Sequence, residues 1–429
     1  MLSSSKEGRR LSRGLEPPNV IITSALFGYN RSGGSARPPL ARLRPDLSAV
    51  PRFKSKGNFG YTRAGGLRPF PANQPPENGR PRWLWAASGA AENRVIRLAV
   101  EIIDIRRFNG RDFLPILRRE GQVWASELYW DYSASEATIV KILEERRLAG
   151  FALVDAGHIQ GYCFFFYEGE KGLIGNLFIE RSQPQGELAE LLLNHSLETL
   201  VATPGICRVE TQLPHFPFEL LEPLLRAHGF AAYRRRFMIL DLRRHSSNEA
   251  VPAPSSETGK LRLEKTPLDH GDFEIAPWER SFDRQAAQLI YFTYRHHVDA
   301  LINDQYASES GAARLIENIV QHRGCGEAVA GASRVAIHRP TRKLAGLLAI
   351  TAVRPHTAHI PQIAVAPEFQ GQGLGTEMMA RGFDECLRQG FREISLTVTD
   401  SNSGAVRLYE GLGFQTFRIF GAFVWNQTW

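Results

Sequence analysis

Cysteine and methionine are scarce in this chain of 429 residues, with four of each. The cysteines (Cys163, Cys207, Cys325 and Cys386) are scattered, and no two form a C-x-x-C pair. They supply neither a disulfide framework nor a thiolate zinc cluster, and a reducing cytoplasm is the expected compartment. No run approaches the ~18–20 apolar residues of a membrane span, and Val20-Ile21-Ile22 is too short for a signal-peptide core. No membrane partner is expected. Acidic residues are short only locally. Residues 1–90 hold 15 Lys or Arg against 4 Asp or Glu, whereas the other 339 residues hold 37 basic and 41 acidic side chains. The formal net charge of +7 therefore belongs to the first segment. The body is mildly acidic, which predicts no nucleic-acid partner for it.

What is present is ordinary globular material, 43% apolar and 23% charged, sufficient for two or three domains. Residues 1–94 stand apart. They are rich in Pro, Gly, Ser and Arg, with pieces such as Arg37-Pro38-Pro39 and Gln74-Pro75-Pro76. Apolar residues there are too few and too aperiodic to offset the entropy of ordering the backbone. The segment reads as a disordered basic extension; a transit peptide, a nucleic-acid tail and a start site placed too early are the other readings. Patterned sequence runs over 95–244. A polar, Pro- and Ser-rich linker follows at 245–259, and a second patterned body fills 260–429.

The two bodies end in the same order of elements. In the second, 358–366 and 394–398 read as strands, 375–389 as an amphipathic helix, 403–412 as a short helix, and the end as a β segment. In the first, a strand over 173–180, a helix over 187–200, a strand over 207–211, a helix over 219–228 and a strand over 236–242 repeat that order. The period of about 185 residues indicates a tandem duplication and excludes a solenoid, whose repeats are far shorter.

The sharpest motif is Gln370-Gly371-Gln372-Gly373-Leu374-Gly375-Thr376, placed directly after a strand and directly before a helix. Glycines permit a tight turn and close approach of a ligand, and free N–H groups at a helix start cradle a pyrophosphate. The Gly-Lys-Ser/Thr of a P-loop is absent, and the spacing is wrong for a dinucleotide fingerprint. Some thirty residues on stands Asn402-Ser403-Gly404-Ala405-Val406-Arg407-Leu408-Tyr409-Glu410-Gly411-Leu412-Gly413-Phe414. Together the two motifs, in this order and spacing, resemble the signature of the GNAT acetyl-CoA-dependent acyltransferase superfamily across nearly all of 260–429.

The resemblance implies an α/β fold on a mixed sheet, with two tandem GNAT-like domains. It also implies an activity: transfer of an acetyl or other short acyl group from acetyl-CoA to a primary amine of a small molecule or peptide. Gln370 and Gly371 would belong to the coenzyme-binding loop, and backbone N–H groups of Gln372, Gly373, Leu374, Gly375 and Thr376 would hold the coenzyme pyrophosphate. Ile363, Ala364 and Val365 would pair with the pantetheine arm like a further strand, and Asn402 would sit beside that arm. Tyr409 matches the tyrosine that gives a proton to the departing thiolate. Family members can place a base early in the splayed strand; the position here is close to His359, whose titration range suits the task. The helices before the second strand usually wall the acceptor pocket, which makes His297, Asp299, Asn303 and Tyr306 candidate acceptor contacts. A solvated helix face or helix capping is the other reading of that stretch. No metal is expected, because His296 and His297 are adjacent and point to different faces. Cys325 reads as a loop cysteine.

Aligned at the loop, the first body carries Glu187 opposite Gly373. Aligned from the Gly-Phe pair, it carries Leu225 opposite Tyr409. A carboxylate facing the place of a pyrophosphate is unfavourable, so 95–244 reads as a degenerate, non-catalytic copy that buttresses the active half. Two competing functions remain: a catalytically silent acyl-CoA-binding module, and a Fem-like transferase taking aminoacyl groups from tRNA. Acceptor identity and oligomeric state stay open.

Overall fold

The computed structural model describes residues 100–243, 271–320 and 325–427. The extension assigned to 1–94 and the linker assigned to 245–259 lie outside the described residues.

The first half runs β1 (Glu101–Asp104), α1 (Gly110–Glu127), α2 (Ser133–Glu144), β2 (Ala149–Asp155), β3 (His158–Glu168), β4 (Lys171–Ile179), α3 (Gln185–Val201), β5 (Arg208–Gln212), α4 (Phe218–Ala227) and β6 (Ala231–Asp241). The second half begins with β7 (Phe273–Pro277), α5 (Asp283–Tyr294), α6 (Val298–Ile302), α7 (Glu309–Val320), β8 (Glu327–Ala328) and β9 (Arg334–His338). It continues with β10 (Lys343–Arg354), β11 (Thr357–Val365), α8 (Leu374–Arg388), β12 (Glu393–Thr399), α9 (Ser403–Gly411) and β13 (Gln415–Asn426). The series β2-β3-β4-α3-β5-α4-β6 thus recurs as β9-β10-β11-α8-β12-α9-β13.

Sequence pattern explains the layers. β10 is buried at nearly every position because helices cover both of its faces. On one face α8 presents Met378, Met379, Phe383 and Cys386 to Leu348, Ile350 and Ala358. On the other, α5 and α7 bring Ala286, Ile290, Leu315 and Ile316 against Leu347, Ala349 and Ala364. In the first half α3 buries Leu188, Leu192, Leu193 and Leu197 against β3 and β4.

All thirteen strands join one mixed sheet in the order β1-β2-β3-β4-β5-β13-β6-β12-β11-β10-β9-β7, with β8 beside β10. The final strands of the two halves are exchanged. β6, from the first half, lies antiparallel to β12, with Thr399 opposite Arg235. β13, from the second half, lies antiparallel to β5, with Phe423 opposite Thr211. The exchanged strands also pair with each other, from Gln415 opposite Ile239 to Val424 opposite Ala231.

Candidate functional site

β11 and β12 run parallel from Thr357 opposite Glu393 to Ile360 opposite Leu396, and there their pairing ends. Each then stays with its outer neighbour: β11 with β10 as far as Val365 opposite Gly346, β12 with β6 as far as Thr399. The strands diverge and leave a cleft. A cavity of about 110 Å³ lies in it, lined by Pro361, Gln362 and Ile363 of β11 and by Thr397 and Val398 of β12.

Strand alternation sets which backbone groups face this cleft. The N–H of Ala366 donates to Ala345 on the β10 side (2.8 Å), so Ala364 faces β10 while Ile363 and Val365 face the opening. Their carbonyl oxygens are engaged from that side. Tyr294 Oη donates to the Ile363 oxygen at 2.7 Å, and Gln370 Nε2 donates to the Val365 oxygen at 3.0 Å. Their N–H groups point into the cleft, whereas Pro361, the next cleft-facing position, has none to offer.

After β11 the chain makes the 3₁₀ turn Pro367–Phe369 and enters the glycine loop. Gly371 has φ 74° and Gly373 has φ 79°, in the left-handed region that only glycine enters without cost. Gly373 is the N-cap of α8 and, having no side chain, leaves the cap unfilled. The first-turn N–H groups, from Leu374 through Thr376, thus keep the outward aim of an uncapped helix start. The chemistry fits an anion there: amides, a helix dipole and no competing carboxylate at the cap. The equivalent turn in the first half is built differently. No residue between Gly169 and Gly205 has a positive φ. Pro184 is the N-cap of α3, and Gln185 Nε2 folds back to donate to the Glu180 carbonyl at 2.8 Å. Leu225 is fully buried in the first-half core.

Tyr409 and Asn402 reach the cleft from α9. Its spacing buries Val406 and Tyr409 on one side, and Tyr409 lines the cavity. Burial, reinforced by the Asp299 charge, pushes its phenol well above the ordinary tyrosine range, so the hydroxyl holds its proton at neutral pH. Asn402 is the N-cap of this helix, its Oδ1 accepting the Ala405 N–H at 3.2 Å. It lines the cavity while fixing the turn that carries Tyr409.

The wall opposite is made by α5, α6 and the 3₁₀ turn Asp304–Ala307. Tyr294 and Tyr306 stack with centroids 4.8 Å apart, and Tyr306 Oη donates to Gln362 Oε1 at 2.8 Å. His297 caps α6: neutral, its Nδ1 accepts the Asp299 N–H at 3.2 Å; protonated, it pairs with Asp299 Oδ2 at 3.4 Å. Asn303 caps the next turn through Gln305 N–H at 3.0 Å. His297 and Asn303 thus act as caps, while Asp299, Asn303 and Tyr306 line the cavity. His297 is not among the lining residues. Burial alone would raise the Asp299 carboxyl, but His297, Arg235 and Thr399 together hold it below the usual carboxylate range.

His359 corrects an expectation. Its ring is buried, with Nδ1 2.9 Å from Ser395 Oγ and Trp130 edge-on at 5.5 Å. Burial depresses the imidazole to about 3, so it is neutral at physiological pH and far too weak a base to take a proton from an alkylammonium. It lines the cavity as a neutral polar wall.

Local reading of the sequence misses several lining residues. Arg235 and Gln212 come from the first half; Tyr294 and Gln362 come from the second. Cys325, expected as a loop cysteine, is buried against the same cavity. Among the described residues no group of three His, Cys, Asp or Glu side chains could hold a metal ion. No helix among them is long and apolar enough to cross a membrane.

Comparison with known proteins adds a family. Residues 298–414 match the acetyltransferase (GNAT) family. Over 71 residues the chain is 42% identical to the ribosomal protein bS18-alanine N-acetyltransferase of Escherichia coli strain K12, covering 17% of this chain and 48% of that protein. Over 65 residues it is 37% identical to the mycothiol acetyltransferase of Kocuria rhizophila, covering 15% and 22%. The matched stretch is less than half the length of either relative. A tandem GNAT protein from the clavulanic acid biosynthesis pathway is 16% identical, covering 76% of this chain and 98% of that one at a TM-score of 0.48. Over residues 298–414 the chain thus carries an acetyltransferase (GNAT) family domain.

Proposed function

We propose that this chain is an N-acyltransferase that moves an acetyl or short acyl group from its coenzyme A thioester to a primary amine. One observation carries the reading. The cleft opened where β11 leaves β12 at Ile360 and Leu396 has a protonated phenol, Tyr409, in its wall, and its edge strand β11 leads through a short turn into an uncapped, glycine-flanked helix start. When bound, acetyl-CoA supplies the activated acyl group. The amides from Gly371 to Thr376 would hold its diphosphate, and the cleft-facing N–H groups of Ile363 and Val365 would take the arm as a partner strand.

In the chemical step the acceptor nitrogen forms a bond to the acyl carbon as the carbon–sulfur bond breaks. Tyr409, held neutral, gives its proton to the departing sulfur and regains one from the amine side through water. The Ile363 N–H, fixed by its strand, is aimed where negative charge develops on the acyl oxygen. The cleft also brings both reactants together, which removes much of the entropic barrier. The first half, with its closed α3 start and Leu225 in place of a phenol, is read as non-catalytic. One relative is named for acetylating a ribosomal-protein alanine and the other for mycothiol, and both names agree with an amine acceptor here.

Calorimetric titration of the full chain with acetyl-CoA tests the reading: saturable binding is expected, and an absence of heat at millimolar donor overturns it. Turnover with an amine panel, followed as thiol release, separates an enzyme from a silent binding module.

A further inference from the structure

The charges facing the cavity form a single pair. Arg235, carried into the second half by the exchanged strand β6, and Asp299 of α6 are the lining residues of formal charge; His359 in the same wall is neutral. Arg235 Nη1 lies 3.2 Å from Asp299 Oδ1 and 3.2 Å from Thr399 Oγ1, and Thr399 also donates to Asp299 Oδ1. The two side chains are only 10% and 17% exposed. Both ions are thus stripped of most of their water already, which is the large unfavourable part of recognising a charged ligand. Around them the buried oxygens Gln212 Oε1 and Thr397 Oγ1 have no hydrogen-bond partner among the described residues. This side of the wall answers polar groups, while Leu315, Ile319, Leu396 and Val398 line the rest of the cavity.

Charge balance narrows the ligand. A guest with an ammonium alone would leave Arg235 facing a surplus of positive charge, and an anion alone would leave Asp299 facing a surplus of negative charge. An uncharged molecule keeps the pocket neutral but meets neither ion; a molecule carrying both signs keeps it neutral and also meets each side chain with its opposite. One guanidinium matches one negative charge in a planar fork, which suits a carboxylate. The cavity of about 110 Å³ admits a small molecule. Resting on the acyltransferase reading, we infer that the acceptor is a small zwitterion of the amino-acid type, with its ammonium toward Asp299 and its carboxylate toward Arg235. Asp299 is near enough to Tyr409 for its charge to act on the phenol, so the amine end lies on the side where the acyl group arrives. The first half would then contribute acceptor specificity directly, through a side chain that the second half's own sequence lacks.

The test uses the full chain, with acetyl-CoA as donor and two matched sets: alanine, alaninamide and ethylamine; serine, serinamide and ethanolamine. Thiol release gives kcat/KM, and calorimetry in the presence of coenzyme A gives acceptor binding without turnover. At least one of the two amino acids is expected to exceed both its amide and its decarboxylated amine by about tenfold or more in both measurements, as expected for a charged hydrogen bond. Arg235→Gln is expected to bring that ratio toward one, and Arg235→Lys to restore part of it; if the Gln variant does not fold, the wild-type ratio and the Lys variant decide. Amides or simple amines used and bound as well as the acids overturn the inference and leave the acyltransferase reading standing. So does donor binding with no turnover of either acid, or an equal fall for every acceptor in Arg235→Gln. Failure to bind acetyl-CoA at all removes both.

Discussion

Tyr294 donates its hydroxyl hydrogen to the carbonyl oxygen of Ile363 across 2.7 Å, so a side chain from α5 holds the strand edge that β12 abandons. The partner strand is gone and a phenol stands in for it. Tyr294→Phe leaves that carbonyl with only the longer Gln362 Nε2 contact at 3.3 Å. A loss of about 1–3 kcal/mol in unfolding free energy is expected, read from urea midpoints at constant slope. A change below a few tenths of a kcal/mol would show that water replaces the hydroxyl.

Tyr409→Phe is expected to lower turnover about a hundredfold, within the usual range for loss of a general acid. Acetyl-CoA affinity by calorimetry stays within about twofold, because the phenol body and its packing against Phe414 remain. An unchanged rate would take Tyr409 out of the mechanism.

Gly373→Glu is expected to abolish acetyl-CoA binding. It places an L-residue at φ 79°, costing about 1–2 kcal/mol, and sets a carboxylate where a diphosphate would rest. Gly373→Ala carries the backbone penalty without the charge and should retain weakened binding. Equal loss in both would assign the effect to the turn.

The buried His359 ring links stability to pH. Its unfolded pKa is about 6.5 and burial lowers the folded value to about 3. The unfolded chain therefore binds more protons between these values, and the contribution present above pH 6.5 is lost as pH falls toward 3. His359→Gln should show a smaller drop in urea midpoint between pH 7 and pH 4 than wild type. It should leave a neutral-range limb of the pH–rate profile in place; disappearance of that limb would restore His359 as the base.

Lys171 of β4 ties the turn Asp304–Ala307 to the first half. Its Nζ lies 2.7 Å from Asp304, 3.1 Å from Glu168 and 3.5 Å from Glu210. Lys171→Met leaves these carboxylates facing one another, with an expected loss of about 3–5 kcal/mol. In chains that remain folded, the KM for the acceptor should rise more than the KM for acetyl-CoA. Equal effects on both would mean that the latch acts on the whole fold.

What was legible in the sequence was local. The strand read at 358–366 is Thr357–Val365, the helix read at 375–389 is Leu374–Arg388, and the helix read at 403–412 is Ser403–Gly411. Each follows from periodicity and from glycine at its ends. The loop glycines could be read because a left-handed turn before a helix leaves few residue choices. Long-range facts were not legible. No local pattern states that Arg235 would pair with Thr399, 164 residues on, because alternation sets the face of a strand and not its neighbour. The same holds for His359, whose titration range depends on burial in a place where Trp130 of the other half packs against its ring. Asn402 shows a residue type that fits two roles, helix cap and cleft wall, which the structure places together.

The exchanged strands also govern how this chain can be made. β5 finds its neighbour β13 only in residues Gln415–Asn426, the last described stretch of the polypeptide. During synthesis the first half therefore waits with an open sheet edge until β13 has been made, and such an edge is a template for other chains. Partial products ending before Gln415 would be the species most prone to aggregate, and demand for chaperones would fall on the nascent chain instead of the mature protein.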